Sequence, residues 1–435
     1  MKFPDFGATR WLAVFALLFA APLLKAGERF AYSDFQRDDF FPILPWDRLH
    51  GPDGKAVDSK VDGLESIAAC GFNFAGFVLP EDLGKCRKLN LAAILLIADP
   101  QLLPLRYHKD WRQLSDAEID NQVKVLVKAG GSNPALKGYF LMDEPSARDF
   151  PALGKAVAAV KKYAPGKLAY INLLPDYATL GAPDTSQLGT STYTEYLERF
   201  VKEVRPQLLS YDNYMVQYSN DLKDKNVAAS YFRNLVEVRR IGQKYRLPCL
   251  QIVAANQLRP NHTVPSPANL MLQAYTTLAA GFRGVTWYTY YGRGYLHASI
   301  DEAGQKTMTW AYLHEVNRQI VTLAPVMSRI SSTGIFFTAP TPADGRPSLA
   351  GSYLESIKSK TPMMVGEFSD KQGQRYFMLV NLSLEESANF RLQTKVPDMD
   401  LQEVSNVDGR LRPYKPGMDG FWLTAGQGVL VKMGS

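Results

Sequence analysis

Eight times between about residue 40 and residue 330, a short apolar run gives way to an amphipathic segment. FFPILPW (40–46) leads into VDGLESIAACG, FNFAGFVLP (72–80) into EDLGKCRKLN, and LAAILLIADP (91–100) into SDAEIDNQVKVLVKAGG. LKGYFLMDEP (136–145), KLAYINLLPD (167–176), QLLSYDNYMV (207–216), PCLQIVAANQ (248–257) and FRGVTWYTYYG (282–292) are each followed by a helical pattern in the same way. The strand runs are apolar almost throughout rather than alternating, which is the pattern of parallel strands covered on both faces. Eight strand-then-helix units in this length predict a (β/α)8 barrel. The rival arrangement, an open doubly wound sheet, usually carries a glycine-rich phosphate turn after its first strand, and no G-x-G-x-x-G is present. Ser115-x-x-Glu118 is a capping box, and Gly71, Gly130 and Gly281 stand at helix exits.

After about residue 331 the texture changes. TGIFFT, YLESIK, PMMVGEF, RYFMLVNLS, ANFRLQ, GFWLTA and GVLVKM are short strands parted by turn residues such as DKQGQ and NVDGR. They predict an all-β sandwich packed directly on the barrel. At the other end, Lys2 and Arg10 precede the fourteen-residue apolar run WLAVFALLFAAPLL (11–24). That is short for a membrane span, which needs about 20 residues, and suited to a signal-peptide core cleaved after Ala26. The expected organisation is a signal peptide over 1–26, a barrel over 27–330 and a sandwich over 331–435, with secretion or periplasmic export and no further span.

Composition narrows the function. Apolar residues at 46% and charged residues at 21% describe a globular chain, and a net charge of +6 without a basic block argues against nucleic acid as a partner. The five histidines show no H-x-H or H-E-x-x-H, so neither a metal nor another cofactor is expected. Cys70, Cys86 and Cys249 fit no metal or redox spacing; Cys70 and Cys86 either pair or serve as small buried apolar residues.

In barrels of this kind the chemistry sits at the C-terminal ends of the strands. The polar and aromatic residues there are Asp99 on strand three, Asp143 and Glu144 on strand four, and Asn172 and Asp176 on strand five. Strand six brings Tyr211, Asp212 and Tyr214, strand seven Gln251 and Asn256, and strand eight Trp287, Tyr288 and Tyr290. Two acids ending an oily strand are expensive unless they serve chemistry. Carboxylates beside aromatic rings suit carbohydrate: rings stack on sugar C–H faces, and one carboxylic acid protonates a glycosidic oxygen. A carbohydrate is therefore the expected partner.

The stretch YFLMDEP resembles the end of strand four in the large clan of (β/α)8 glycoside hydrolases, where N-E-P is common and the Glu is the acid/base. GVTWYTY and the appended sandwich are also similar to that clan. The resemblance implies Glu144 as general acid/base. Two departures stand out: Asp143 replaces the clan's Asn, and PCLQIVAANQ lacks the strand-seven Glu nucleophile. Asp212 could act as the second carboxylate. Alternatively, Asp143-Glu144 resembles the Asp-Glu pair of substrate-assisted N-acetylhexosaminidases, in which the Asp orients the substrate's acetamido group; Tyr211 or Tyr214 would then hold the acetamido oxygen. The reading from another class is a non-catalytic sugar-binding barrel, a hydrolase that lost its nucleophile. Because neighbouring strand residues face opposite ways, Asp143 could also point away from Glu144 and anchor the strand.

Overall fold

The computed structural model describes residues 40–47, 63–96, 111–217, 228–292, 294–339 and 349–434. The predicted signal peptide and Asp99 lie outside these residues. Eight parallel strands form one sheet: β1 (Ile43–Pro45), β2 (Phe74–Val78), β3 (Ala92–Leu95), β4 (Leu136–Asp143), β5 (Leu168–Leu173), β6 (Leu209–Asp212), β7 (Cys249–Ala254) and β8 (Val285–Tyr288). β1 pairs with β8, Ile43 opposite Val285. The ring closes between β1 and β2, where the Phe77 N–H donates to the Asp47 carbonyl at 3.1 Å and the Asn73 N–H to the Ile43 carbonyl at 3.3 Å.

Helices α1 (Gly63–Ala69), α2 (Leu83–Lys88), α3 (Asp116–Gly130), α4 (Phe150–Tyr163), α5 (Tyr193–Arg199), α6 (Ala228–Tyr245), α7 (Pro267–Ala279) and α8 (Met308–Met327) follow the strands in turn. The helix starts are written in the sequence. Ser115 Oγ accepts from the Glu118 N–H while the Glu118 carboxylate accepts from the Ser115 N–H at 2.7 Å, and Ser266 caps α7 just before Pro267.

Period two along each strand divides the apolar residues into two cores. Leu44, Phe74, Ile94, Phe140, Tyr170, Leu250 and Ile252 fill the barrel, where Trp46, Phe77, Phe140 and Tyr170 meet ring to ring at 4.6–6.3 Å. Ile43, Ala93, Leu141, Ile171, Val253 and Val285 face outward onto the helices. Each such large side chain contributes roughly 1.5–3 kcal/mol on burial, so the alternation is enforced residue by residue. The three cysteines are free and buried as small apolar residues.

The C-terminal region is a sandwich of antiparallel strands. One sheet runs β10 (Leu354–Ser359), β13 (Ala388–Thr394), β16 (Phe421–Leu423); the other runs β15 (Leu411–Pro413), β14 (Leu401–Val404), β17 (Gly428–Met433), β12 (Arg375–Asn381), β11 (Met363–Ser369), β9 (Ser331–Phe337). Leu354, Val365, Phe377, Leu379, Phe390 and Phe421 fill the space between them. Barrel and sandwich belong to one compact unit, Tyr32–Ser435. The larger sheet lies directly on α7, and glycines make the approach possible. A Cβ on Gly366 would overlap the Ala279 carbonyl, and one on Gly428 would overlap the Tyr275 ring. Among the described residues no helix is long and apolar enough to cross a membrane.

Candidate active site

Strand β4 supplies two acids to the mouth by breaking its own alternation. It pairs with β5 as Phe140 opposite Tyr170, then Met142 opposite Ile171 and Asp143 opposite Asn172, so one extra residue bulges out of β4. Phe140 points inward, and the bulge turns Asp143 inward three residues later rather than four. Glu144 then takes a left-handed backbone, φ 46°, while its N–H still donates to the Asn172 carbonyl at 2.9 Å. That conformation is uncommon for a residue with a Cβ and costs about 1 kcal/mol or more. The surroundings hold it: Trp111 Nε1 donates to the Leu141 carbonyl at 3.1 Å, and Tyr196 OH to the Pro145 carbonyl at 2.7 Å. Asp143 therefore does not point away as an anchor. Both acids share the site.

Asn172 is the centre of the arrangement. Its Nδ2 donates to Asp143 Oδ1 at 3.1 Å and to Asp212 Oδ1 at 2.9 Å, using both amide hydrogens. Its Oδ1 accepts from Ser210 Oγ at 3.1 Å, which leaves Ser210 to accept from Tyr170 OH at 2.8 Å. The amide orientation is thus set by a chain of donors rising from the aromatic interior. Ser210 and Tyr170 are functional neighbours that the strand-end reading passed over, because each sits one layer below the acids.

The three carboxyls differ in access. Asp212 is 2% exposed, Asp143 is half-buried and Glu144 is exposed. The Asp212 and Glu144 carboxyls lie near enough for each to influence the other's titration. Burial pushes the Asp212 pKa well up, and the charges of Glu144 and Asp143 push it further. Glu144 is raised as well: its carboxyl is partly desolvated between the strand ends even though the residue as a whole is open, and the neighbouring Asp212 partly offsets this. Burial, reinforced by Glu144, lifts Asp143 to about 7 against the pull of its Asn172 bond.

Aromatic residues form one wall. Tyr214 stacks on Tyr288 at 5.1 Å and 28°, and Tyr288 OH bonds Tyr295 OH at 2.7 Å. All three are partly buried, with Tyr214 and Tyr288 packed against the inner core. Beside them Asp176, raised by burial to about 6, accepts from Ser230 Oγ at 3.1 Å.

Other expected site residues face elsewhere. Tyr211 is fully buried outside the barrel wall, edge-on to Phe282, because Asp212 takes the inward position next to it. Trp287 is fully buried against α8, its Nε1 donating to Asn317 Oδ1 at 2.9 Å; its neighbour Tyr288 has the inward position. Tyr290 lies between α1 and α8, bonded to Ser66 Oγ and to Trp310 Nε1. Gln251 accepts from Thr277 Oγ1 on α7, while Leu250 and Ile252 face inward. Asn256 is buried past the end of β7 and donates to Thr289 Oγ1 at 3.1 Å. Arg283 lies just before β8, at the opposite end of the strand from the acids, and donates to the Met327 and Ile330 carbonyls. Asp47, absent from the expected set, follows β1 by two residues and accepts from the Tyr290 and Tyr291 N–H groups.

The sequence matches no family model and no curated relative. The structure is similar to a GH42 β-galactosidase, with 9% identity over 92% of this chain and 99% of that one and a TM-score of 0.60. It is also similar to a glycoside hydrolase family 5 protein from Bacteroides vulgatus ATCC 8482, with 11% identity over 91% and 90% of the two chains and a TM-score of 0.56. A further structure described as a glycoside hydrolase gives 11% identity, 91% and 93% coverage and a TM-score of 0.54. At such identities the likeness is one of fold.

Proposed function

We propose that this chain is an exported glycoside hydrolase whose general acid/base is Glu144. The observation that carries the reading is the carboxyl cluster at the barrel mouth, in which Glu144 is the most open to solvent, beside the Tyr214–Tyr288–Tyr295 wall. A sugar would stack against the wall while Glu144 delivers a proton to the leaving oxygen. The raised pKa suits an acid that must hold its proton near neutrality. Asp212 is too buried to reach an anomeric carbon, so its part is to anchor the Asn172 amide beneath the site. The likeness in fold to glycoside hydrolases agrees with this reading, as does the charged, export-type start of the sequence.

Asp143 favours the substrate-assisted version. With no acid in the strand-seven segment, and with Asp143 turned inward by the bulge in β4, Asp143 would orient an acetamido group whose oxygen attacks the anomeric carbon. The test is an assay of wild type and Glu144→Gln on aryl glycosides and polysaccharides, with and without 2-acetamido groups. Hydrolysis lost by about 10²–10⁴-fold in the variant supports Glu144. Preference for acetamido substrates supports the role of Asp143. Tight glycan binding with no turnover by the wild type would replace the enzyme by a sugar-binding barrel.

A further inference from the structure

Tyr170 stands in the inner aromatic layer of the barrel, where its ring packs near Trp46, Phe77 and Phe140 at centroid distances of 5.9–6.3 Å. A phenylalanine would fill the same space. The hydroxyl is the part that packing does not call for, and a buried phenol is costly unless it is bonded. Period two puts Tyr170 and Asn172 of β5, and Ser210 and Asp212 of β6, on the barrel side, with Asn172 paired directly to Ser210. All four are buried.

The protons of this column follow by counting. Ser210 has one to give, and Asn172 Oδ1 accepts it at 3.1 Å, so at 2.8 Å Ser210 Oγ accepts from the Tyr170 hydroxyl. Thr286 Oγ1 on β8 lies near the same hydroxyl without reaching hydrogen-bond geometry, which leaves Ser210 as its partner. With Oδ1 held from below, the Asn172 amino group faces Asp143 and Asp212, at 3.1 and 2.9 Å. Turned over, the same amide would show both acids its oxygen, which a carboxyl meets only when it carries a proton. The direction of one hydroxyl at the bottom of the column therefore bears on the charge of two acids at its top.

We propose that Tyr170 is a positioning residue for the acid cluster: through Ser210 it locks the Asn172 amide with its hydrogens toward Asp143 and Asp212, and so favours the charged form of both. The effect on turnover rests on the glycosidase reading; the effect on titration does not. Burial and neighbouring carboxyls push both acids up, and the Asn172 bonds oppose this. The other titratable groups around the pair are Glu144 on β4, Tyr214 just after β6, and Tyr193 and Tyr196 on α5. Burial keeps those phenols neutral, so none of them supplies an opposing charge.

The test is carboxyl titration of the full chain labelled with [γ-13C]aspartate, followed by NMR, with Asp143→Asn and Asp212→Asn assigning the two signals. In Tyr170→Phe the midpoints of Asp143 and Asp212 are expected to rise by about 0.5–1 pH unit. Ser210→Ala is expected to do the same, and the double variant to add little to either, because both act through one amide. A merely structural hydroxyl would lower Tm and leave the midpoints in place. Should Tyr170→Phe fail to fold, Ser210→Ala carries the same measurement. Unmoved midpoints in the folded variants would overturn the proposal. Raised midpoints in a protein that hydrolyses no glycoside would keep the positioning role and remove the glycosidase reading instead.

Discussion

Asn172 spends both hydrogens of a single amide on two acids, and its own orientation depends on Ser210 and Tyr170 beneath it. Each bond pulls a carboxyl pKa down while burial pushes it up. Asn172→Ala removes the downward pull, so Asp143 and Asp212 rise further, and Ser210 loses its acceptor. We expect a loss of about 1–3 kcal/mol in urea unfolding, larger at pH 8 than at pH 5 because the deprotonated acids then lack their donor. Asp143 makes its own pH prediction. Its folded pKa of about 7 lies above the ordinary 3.8, so the fold binds more protons than the unfolded chain between those values. Stability is then greatest below about pH 4 as far as this group is concerned, and is lost as pH rises through 7. Thermal unfolding should give a higher Tm at pH 5 than at pH 8. Asp143→Asn should flatten that slope; an unchanged slope would remove Asp143 as its source.

The strands explain which expected site residues reach the mouth. Period two cannot place both Tyr211 and Asp212, or both Trp287 and Tyr288, on the same side of a regular strand. Listing every polar or aromatic residue near a strand end overlooks that alternation, although it was present in QLLSYD and GVTWY. The eight strands, their helices and the Ser115 capping box were legible because hydrophobic periodicity and side-chain caps are local signals. The β4 bulge was not, because a one-residue offset changes pairing without changing composition, and it decides that Asp143 joins Glu144. The two faces of β8 should separate experimentally. Trp287→Phe strands Asn317 Oδ1 without its indole donor and is expected to cost about 1–3 kcal/mol of stability while leaving KM unchanged. Tyr288→Ala removes a stacking face and is expected to raise KM with a smaller stability loss. The opposite assignment of effects would put the wall elsewhere.

At the scale of the whole molecule, the barrel gathers three carboxyls at the C-terminal ends of its strands, and a sandwich is seated on α7. The seat tolerates no side chain at Gly366, where the obstacle is the Ala279 carbonyl rather than a flexible group. Gly366→Ala should therefore cost about 1–3 kcal/mol in thermal or urea unfolding, by prising the β11 backbone from α7; a neutral outcome would show that the two layers can slide apart freely. Long-range packing of this kind leaves no mark in a single sequence beyond a glycine in a strand.

We propose that Glu144 donates the proton that frees the leaving group. It is tested most directly by kcat/KM for a pair of aryl glycosides, one with a dinitrophenyl leaving group that needs no protonation and one with a poor phenolic leaving group. In Glu144→Gln a loss of about 10²–10⁴-fold is expected on the poor leaving group and a far smaller loss on the activated one. An equal loss on both, or none on either, would contradict it.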